Sequence, residues 1–360
     1  MKFLTKRAAR LQRGATTIFF AFAMIPMVGV AAVALEFGNA AVHYRRLQNY
    51  VDSKAIAALR ENFGNIPSDQ RVQHSRFANG SATAGPGSPD ALPVKGHWDF
   101  SVFNGAEQFT ATPALNLAPG AVPAYRVDVE SFTVNLLFGS LFNVPSVDIH
   151  VEAVAYAPRR EVVIVQDVSG SMCIQPDGSF LPRPCSDDAR IGPAKDADTT
   201  LVEAMEAQDI PGDMVGIVAF NDGVVGTPLD LTPLSTQLNT VTQYIDDLAG
   251  DGQTDVGVGI GAGNALFSSN TPNPEIARIM IVVGDGRGGS GAPQAANAAE
   301  ALGADVYTIA FCGGGDCNDA EDFLDDLTRG NGFFRPAPDA ATLLALMTDI
   351  VTGVPMKLVR

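Results

Sequence analysis

The sequence predicts an α/β protein with an N-terminal transmembrane helix, a small β-rich region, and then a doubly wound, mostly parallel sheet. Three observations carry that reading. Residues 15–35 form a 21-residue stretch without a charge. Segments between 125 and 156 alternate apolar and polar residues with period two. From residue 161 onward, short continuous apolar runs alternate with segments of helical spacing. The 360 residues are enough for two domains with cores of their own. With 46% hydrophobic and 18% charged residues, disorder throughout is excluded. A net charge of -16 argues against binding nucleic-acid phosphate.

The apolar stretch ATTIFFAFAMIPMVGVAAVAL, residues 15–35, would span roughly 31 Å as a helix, about one bilayer core. Lys2, Lys6, Arg7, Arg10 and Arg13 precede it without an acid among them. The positive-inside rule therefore puts residues 1–14 in the cytoplasm as a basic tail and the rest outside. Ala32-Val33-Ala34 resembles a signal-peptide cleavage site, but the run exceeds the usual signal-peptide core of about 7–15 residues. Charge divides accordingly. Residues 1–60 carry nine Lys/Arg against two acids, whereas 61–360 carry 15 against 38. A basic anchor and an acidic soluble body are expected.

Residues 36–62 continue the helical pattern, with Phe37, Ala40, Tyr44, Leu47, Val51 and Ala58 at three-, four- and seven-residue steps. This face packs either on the chain itself or on a partner helix, and periodicity does not separate the two. Residues 63–96 are read as a linker, because 80–96 hold nine Gly, Pro or Ser in 17. Residues 97–158 are read as the β-rich region. Tyr125, Val127 and Val129 alternate with Arg126, Asp128 and Glu130, and Val147 to Tyr156 repeats the pattern. Between them, FTVNLLFGSLFNV (132–144) is expected in the core more than on a partner-facing surface. His97 and His150 show no clustered ligand partners in the sequence and are read as structural.

Residues 10–62, with Arg13-Gly14-Ala15, Pro26, Glu36 and RRLQNYVDSKAIAAL (45–59), resemble the N-terminus of TadE/TadG-like proteins of bacterial tight-adherence pilus assembly. Processed pseudopilins of that system carry a Glu five residues after the cleavage glycine. Here Phe19 stands five after Gly14, so the resemblance is to the uncleaved, TadG-like members.

In residues 159–360, buried strands are expected at 161–166, 214–220, 277–283 and 305–311, with a short strand at 332–336. Helices are expected over 193–207, 238–248, 256–267, 292–302, 320–327 and 339–351. Ligands of such sheets sit at the carboxyl ends of strands. There the sequence has Asp167-Val168-Ser169-Gly170-Ser171-Met172, then Gly252-Gln253-Thr254-Asp255, then Gly284-Asp285-Gly286. Hydroxyl and carboxylate oxygens on three loops suit a hard cation such as Mg²⁺. A site built mainly of hydroxyls leaves the cation underneutralised and open to an outside carboxylate. Ser and Asp also favour turns and helix starts without any metal.

This arrangement resembles the von Willebrand factor type A domain, a Rossmann-like fold, and its metal-ion-dependent adhesion site. The resemblance implies Mg²⁺ or Mn²⁺ as cofactor. It implies Ser169, Ser171 and Thr254 as direct ligands, with Asp167 and Asp285 acting largely through water. Two departures stand out: Gly284 replaces the Thr that commonly precedes the later aspartate, and an extra stretch, 173–193, follows the metal motif beside the site. Asp255 either supports the ligands or caps a helix. The four cysteines form two close pairs, and three pairings are open. Local pairing of Cys173 with Cys185 and Cys312 with Cys317 is expected outside the cytoplasm, and a zinc site lacks flanking His. GVGIGAG (257–263) follows no strand and is read as close helix packing; no Walker loop, HExxH or GxSxG occurs.

The resulting expectation is a non-enzymatic, single-pass protein of the bacterial cytoplasmic membrane with its C-terminal domain in the periplasm or outside. It would serve pilus assembly, meeting other pilus-assembly proteins and binding a protein partner's acidic residue through the metal. The alternatives are a Mg-dependent phosphotransferase or hydrolase, with Asp167 as nucleophile, and a structural pilus component with a vestigial metal site. Against the enzyme, Ser169 stands where a second acid would be needed and no Lys or general acid joins the motifs.

Overall fold

The computed structural model describes residues 2–63, 92–102, 108–112, 121–175, 178–185, 188–269, 271–273, 275–286, 288–289, 291–313, 318–329, 332–353 and 357–359. Most of the expected linker and Cys317 lie outside these residues. The architecture is mixed α/β, with an N-terminal apolar helix, a small antiparallel sheet and a larger, mainly parallel one.

Helix α1 (Lys2–Phe63) runs unbroken through Pro26. It is the one helix among the described residues long and apolar enough to cross a membrane. Its later turns answer the question the periodicity left open. Leu47, Tyr50, Val51, Ala55, Ala58 and Leu59 are buried, and they pack on Val127, Val129, Ile149, Val151 and Ala153 of the chain's own sheet. The spacing puts these residues on one helix face, as a strip against a sheet requires. Gln48 fixes the height of the helix by donating to the Glu152 carbonyl at 3.0 Å. Phe37 and Tyr44, assigned to the same face by periodicity, are exposed instead.

That sheet contains β1 (Val94–Asp99), β2 (Phe109–Ala111), β3 (Ala121–Asn135) and β4 (Ser146–Tyr156), all antiparallel. A final strand, β11 (Lys357–Val359), pairs antiparallel with β4, giving the order β11-β4-β3-β1-β2. Strand β1 begins at Val94, inside the stretch read as linker. The apolar segment 132–144 is divided: Val134 is buried, whereas Leu137, Phe138 and Val144 at the β3–β4 turn are exposed. The expectation of a core segment holds for its strand part and fails at the tip.

The larger sheet comprises β5 (Arg159–Asp167), β6 (Met214–Phe220), β7 (Leu229–Pro233), β8 (Ile276–Gly284), β9 (Ala304–Phe311) and β10 (Phe333–Ala337). Its order is β10-β9-β8-β5-β6-β7, parallel except for the edge strand β7. Helices α2 (Ile191–Gln208), α3 (Leu234–Asp246) and α7 (Ala340–Thr352) cover one face. Helices α4 (Val256–Leu266), α5 (Ala292–Ala301) and α6 (Asn318–Thr328) cover the other. With both faces covered, β5 and β8 are almost wholly buried, which is why their sequences read as continuous apolar runs. The chain builds outward from β5 through β6 and β7, then returns to β8 on the other side. The strand order therefore reverses between β5 and β8, and ligand crevices form at such a point.

Candidate functional site

Asp167 ends β5 and Asp285 follows β8, so the two carboxylates flank the reversal point. The backbone N–H of Ser169 donates to Asp167 Oδ1 at 2.7 Å, turning the chain sharply after the strand. A 3₁₀ turn over Gly170–Cys173 then directs Ser171 back toward the sheet. The Ser169 and Ser171 hydroxyls lie 2.9 Å apart, and Ser171 donates to Asp285 Oδ1 at 2.6 Å. Four of the five expected site residues are thus joined through side chains or backbone.

The loop before α4 is fastened to the same turn. Gly170 N–H donates to the Gly252 carbonyl at 3.0 Å, and Asp251 N–H to the Val168 carbonyl at 2.7 Å. This carries Thr254 to the edge, where a Cβ placed on Gly286 would come within 2.9 Å of its hydroxyl. Asp255 is the N-cap of α4, accepting from Val258 N–H at 3.3 Å, which realises the capping alternative. The replacement of Thr by Gly284 also has a local reason. A Cβ there would stand 2.9 Å from Asp167 Oδ2, crowding a carboxylate with no room to retreat.

Asp167 is fully buried, and its Oδ2 has no hydrogen-bond partner. Burial first, and the neighbouring Asp285 carboxylate second, raise its pKa to about 7, against the lowering effect of Ser169. A buried anion without a counter-charge is costly. Two hydroxyls and two carboxylates with one unused oxygen form an all-oxygen donor set that fits a hard cation.

The stretch after the metal motif is tied down by the Cys173–Cys185 disulfide, as expected from local pairing. Cys312 is also disulfide-bonded, while its expected partner Cys317 lies outside the described residues. The loop brings two guanidinium groups to the site that sequence reading missed. Arg183 lies against Gly170, and Arg190 Nη1 donates to Asp285 Oδ2 at 2.7 Å. Neither has a sequence signature: Arg183 lies within the disulfide-closed loop, and Arg190 is the N-cap residue of α2.

A second group of potential ligands, Asp128, His150 and Glu152, lies on β3 and β4. This corrects the reading of His150 as unclustered: its Nε2 is 2.8 Å from Asp128, and Glu152 is the cross-strand neighbour of Asp128. Cross-strand register, invisible to spacing along the chain, makes the group. Arg126 already pairs with both acids at 2.8 and 3.2 Å, so their charge is answered without a metal.

Family models match three parts of the chain. The von Willebrand factor type A domain matches residues 161–348, Flp pilus-assembly TadE/G-like matches 14–61, and Tad-like Flp pilus-assembly matches 48–155. No curated protein matches the chain. Among solved structures, the PilB minor pilin from Streptococcus sanguinis is 13% identical with a TM-score of 0.48, over 88% of this chain and 97% of its own. The von Willebrand factor domain of the type V pili tip protein Mfa5 from Porphyromonas gingivalis is 14% identical with a TM-score of 0.42, over 56% and 98%. BatB from Bacteroides thetaiotaomicron is 19% identical with a TM-score of 0.41, over 54% and 97%. The chain belongs to the von Willebrand factor type A domain family, joined to an N-terminal Tad-type pilus-assembly region.

Proposed function

We propose that this protein is a membrane-anchored, non-enzymatic component of tight-adherence pilus assembly that grips a protein partner through a divalent metal. Asp167, Ser169, Ser171, Thr254 and Asp285 would hold Mg²⁺ or Mn²⁺ at the reversal point of the larger sheet. The bound metal would supply a Lewis-acid position for one carboxylate of the partner. The observation that carries the reading is the unpartnered, fully buried Oδ2 of Asp167 beside the linked hydroxyls of Ser169 and Ser171. The Tad-type family matches supply the pilus context. The N-terminal apolar helix supplies the anchor, with the basic tail on the cytoplasmic side and the folded domains outside.

The site favours binding over covalent catalysis. Asp167 would be a poor nucleophile, because it is closed to solvent and its Oδ1 already accepts from Ser169. Calorimetric titration of the detergent-solubilised full chain with Mg²⁺ and Mn²⁺, beside Asp167→Ala, tests the proposal. Binding in the parent that is lost in the variant is the expected result. Absence of binding in the parent would leave a vestigial site, and metal-dependent phosphatase turnover would refute the non-enzymatic reading.

A further inference from the structure

The β3–β4 turn carries an apolar surface that neither sheet nor helix covers. Leu137 is 75% exposed, and Phe138, Val144 and Val147 are exposed beside it. No charged residue occurs between Glu130 and Asp148. Water-facing hairpin tips are normally polar, and a contiguous exposed apolar patch marks a contact surface.

The position of this tip identifies what it touches. Strands β3 and β4 run along α1 with the tip toward the apolar end of the helix, and Phe138 N–H donates to the Glu36 carboxylate. Glu36 is the first charged residue after the 15–35 run, so the hairpin reaches the helix where its apolar segment ends. The bond also buries Glu36, which is only 8% exposed. Around it the helix offers Leu35, Phe37, Val42 and Tyr44, all exposed, and the next charges are Arg45 and Arg46. Exposed apolar residues of helix and tip thus meet at Glu36, where the apolar run of α1 ends, with the polar Ser140 and Asn143 exposed among those of the tip.

We propose that the β3–β4 tip, residues 136–145, enters the interfacial region of the bilayer crossed by α1, in the leaflet facing the folded domains. The inference rests on the membrane-anchor reading. Irregular backbone tolerates this environment only when its polar groups are answered. Here Leu136 N–H donates to Pro145 O and Val144 N–H to Gly139 O, each at 2.9 Å. The exposed ring of Tyr44 matches the preference of Tyr for the membrane–water boundary, and Phe37 and Phe138 add exposed apolar rings. Glu36 lies buried beneath the tip, with Oε1 accepting from Phe138 N–H and Oε2 without a hydrogen-bond partner. Two contacts, a span and a wedge, would fix the tilt of the small sheet on the membrane.

The test uses the full chain in lipid nanodiscs, with single added cysteines carrying an environment-sensitive fluorophore. The described native cysteines are all disulfide-bonded and do not compete for label. Labels go on Leu137→Cys and Val144→Cys at the tip, Val28→Cys within the span, and Asn239→Cys on exposed α3. Brominated lipids are expected to quench the tip labels several-fold more than the Asn239 label, with shallow bromines more effective than deep ones. Adding Leu137→Asp, at a position already exposed, should reduce quenching at Val144→Cys. If the tip labels match Asn239→Cys while Val28→Cys is quenched, the tip proposal fails and the anchor stands. An unquenched Val28→Cys overturns the anchor, and the proposal with it. Tip quenching seen with several chains per nanodisc but lost with one would show that lipid contact of the tip requires a second copy of the chain, and would also overturn the proposal.

Discussion

Arg190 donates from Nη1 to Asp285 Oδ2 at 2.7 Å, while Ser171 donates to Oδ1 of the same carboxylate at 2.6 Å. The Asp285 side chain is closed to solvent and that of Arg190 nearly so. A fixed guanidinium therefore neutralises one of the acids assigned to the metal. Breaking a buried pair by removing one partner commonly costs about 3–5 kcal/mol. Arg190→Gln should lower Tm without metal, and it should show a larger Tm rise than the parent on adding saturating Mg²⁺, because the ion then takes over the lost counter-charge. Equal Mg²⁺-induced shifts in parent and variant would mean that Arg190 and the ion do not share Asp285.

The Cys173–Cys185 bond closes a loop with a sequence separation of 12 and carries Arg183 to Gly170. Loops of this size are stabilised by about 3 kcal/mol when cross-linked. The Cys173→Ser/Cys185→Ser variant should lose roughly 2–3 kcal/mol in urea unfolding while keeping its far-ultraviolet circular dichroism. Gly250→Ala should act in the same direction, since its Cβ would lie 2.7 and 2.8 Å from the two sulfurs. An unchanged unfolding midpoint in the double serine variant would show that the loop holds its shape without the bond.

The larger sheet was legible because burial on both faces leaves an unmistakable residue pattern. EVVIVQ and ARIMIVV could hardly belong to half-exposed strands, and they became β5 and β8. Strand β7 was missed because LDLTP lies at an edge, is largely half-exposed and contains Asp230 and Pro233, which dilute any strand signal. In the candidate site, Asp167, Ser169 and Ser171 are close in sequence and were found together. Thr254 and Asp285 were placed by the ends of their neighbouring elements and by family resemblance. Arg183, Arg190 and the Asp128–His150 pair were not legible, since a disulfide-closed loop, the start of α2 and a cross-strand register bring them into place.

Asp198 on α2 is fully buried, and neither carboxylate oxygen has a hydrogen-bond partner. Burial holds its pKa well above the ordinary 3.8. The folded state therefore keeps a proton that the unfolded chain releases, and this group's contribution to stability falls as pH rises from about 4 toward the raised value. Asp198→Asn removes the ionisation at almost constant shape. Thermal melts should show the variant level with the parent near pH 4 and more stable at about pH 8. A parent–variant difference that does not change with pH would contradict a protonated Asp198.

At the opposite end of β5, Arg160 is fully buried with every guanidinium N–H engaged. Nε donates to Asp213 Oδ2 at 2.8 Å, and Nη2 reaches the same carboxylate. Nη1 donates to Val351 O at 2.8 Å and also to Gln208, and Nη2 donates to Met205 O at 3.3 Å. One side chain thus joins β5, the end of α2, the residue before β6 and the end of α7. Its charge also faces the carbonyl ends of α2 and α7, where a cation is favoured. Asp213→Ala would strand the guanidinium without its counter-charge and should cost about 3–5 kcal/mol in urea unfolding. Replacing both partners, as Arg160→Met/Asp213→Leu, should recover most of that loss, because the desolvation cost disappears with the charges. If Asp213→Ala costs under about 1 kcal/mol, the carbonyls and Gln208 suffice to hold Arg160 and the ion pair is dispensable.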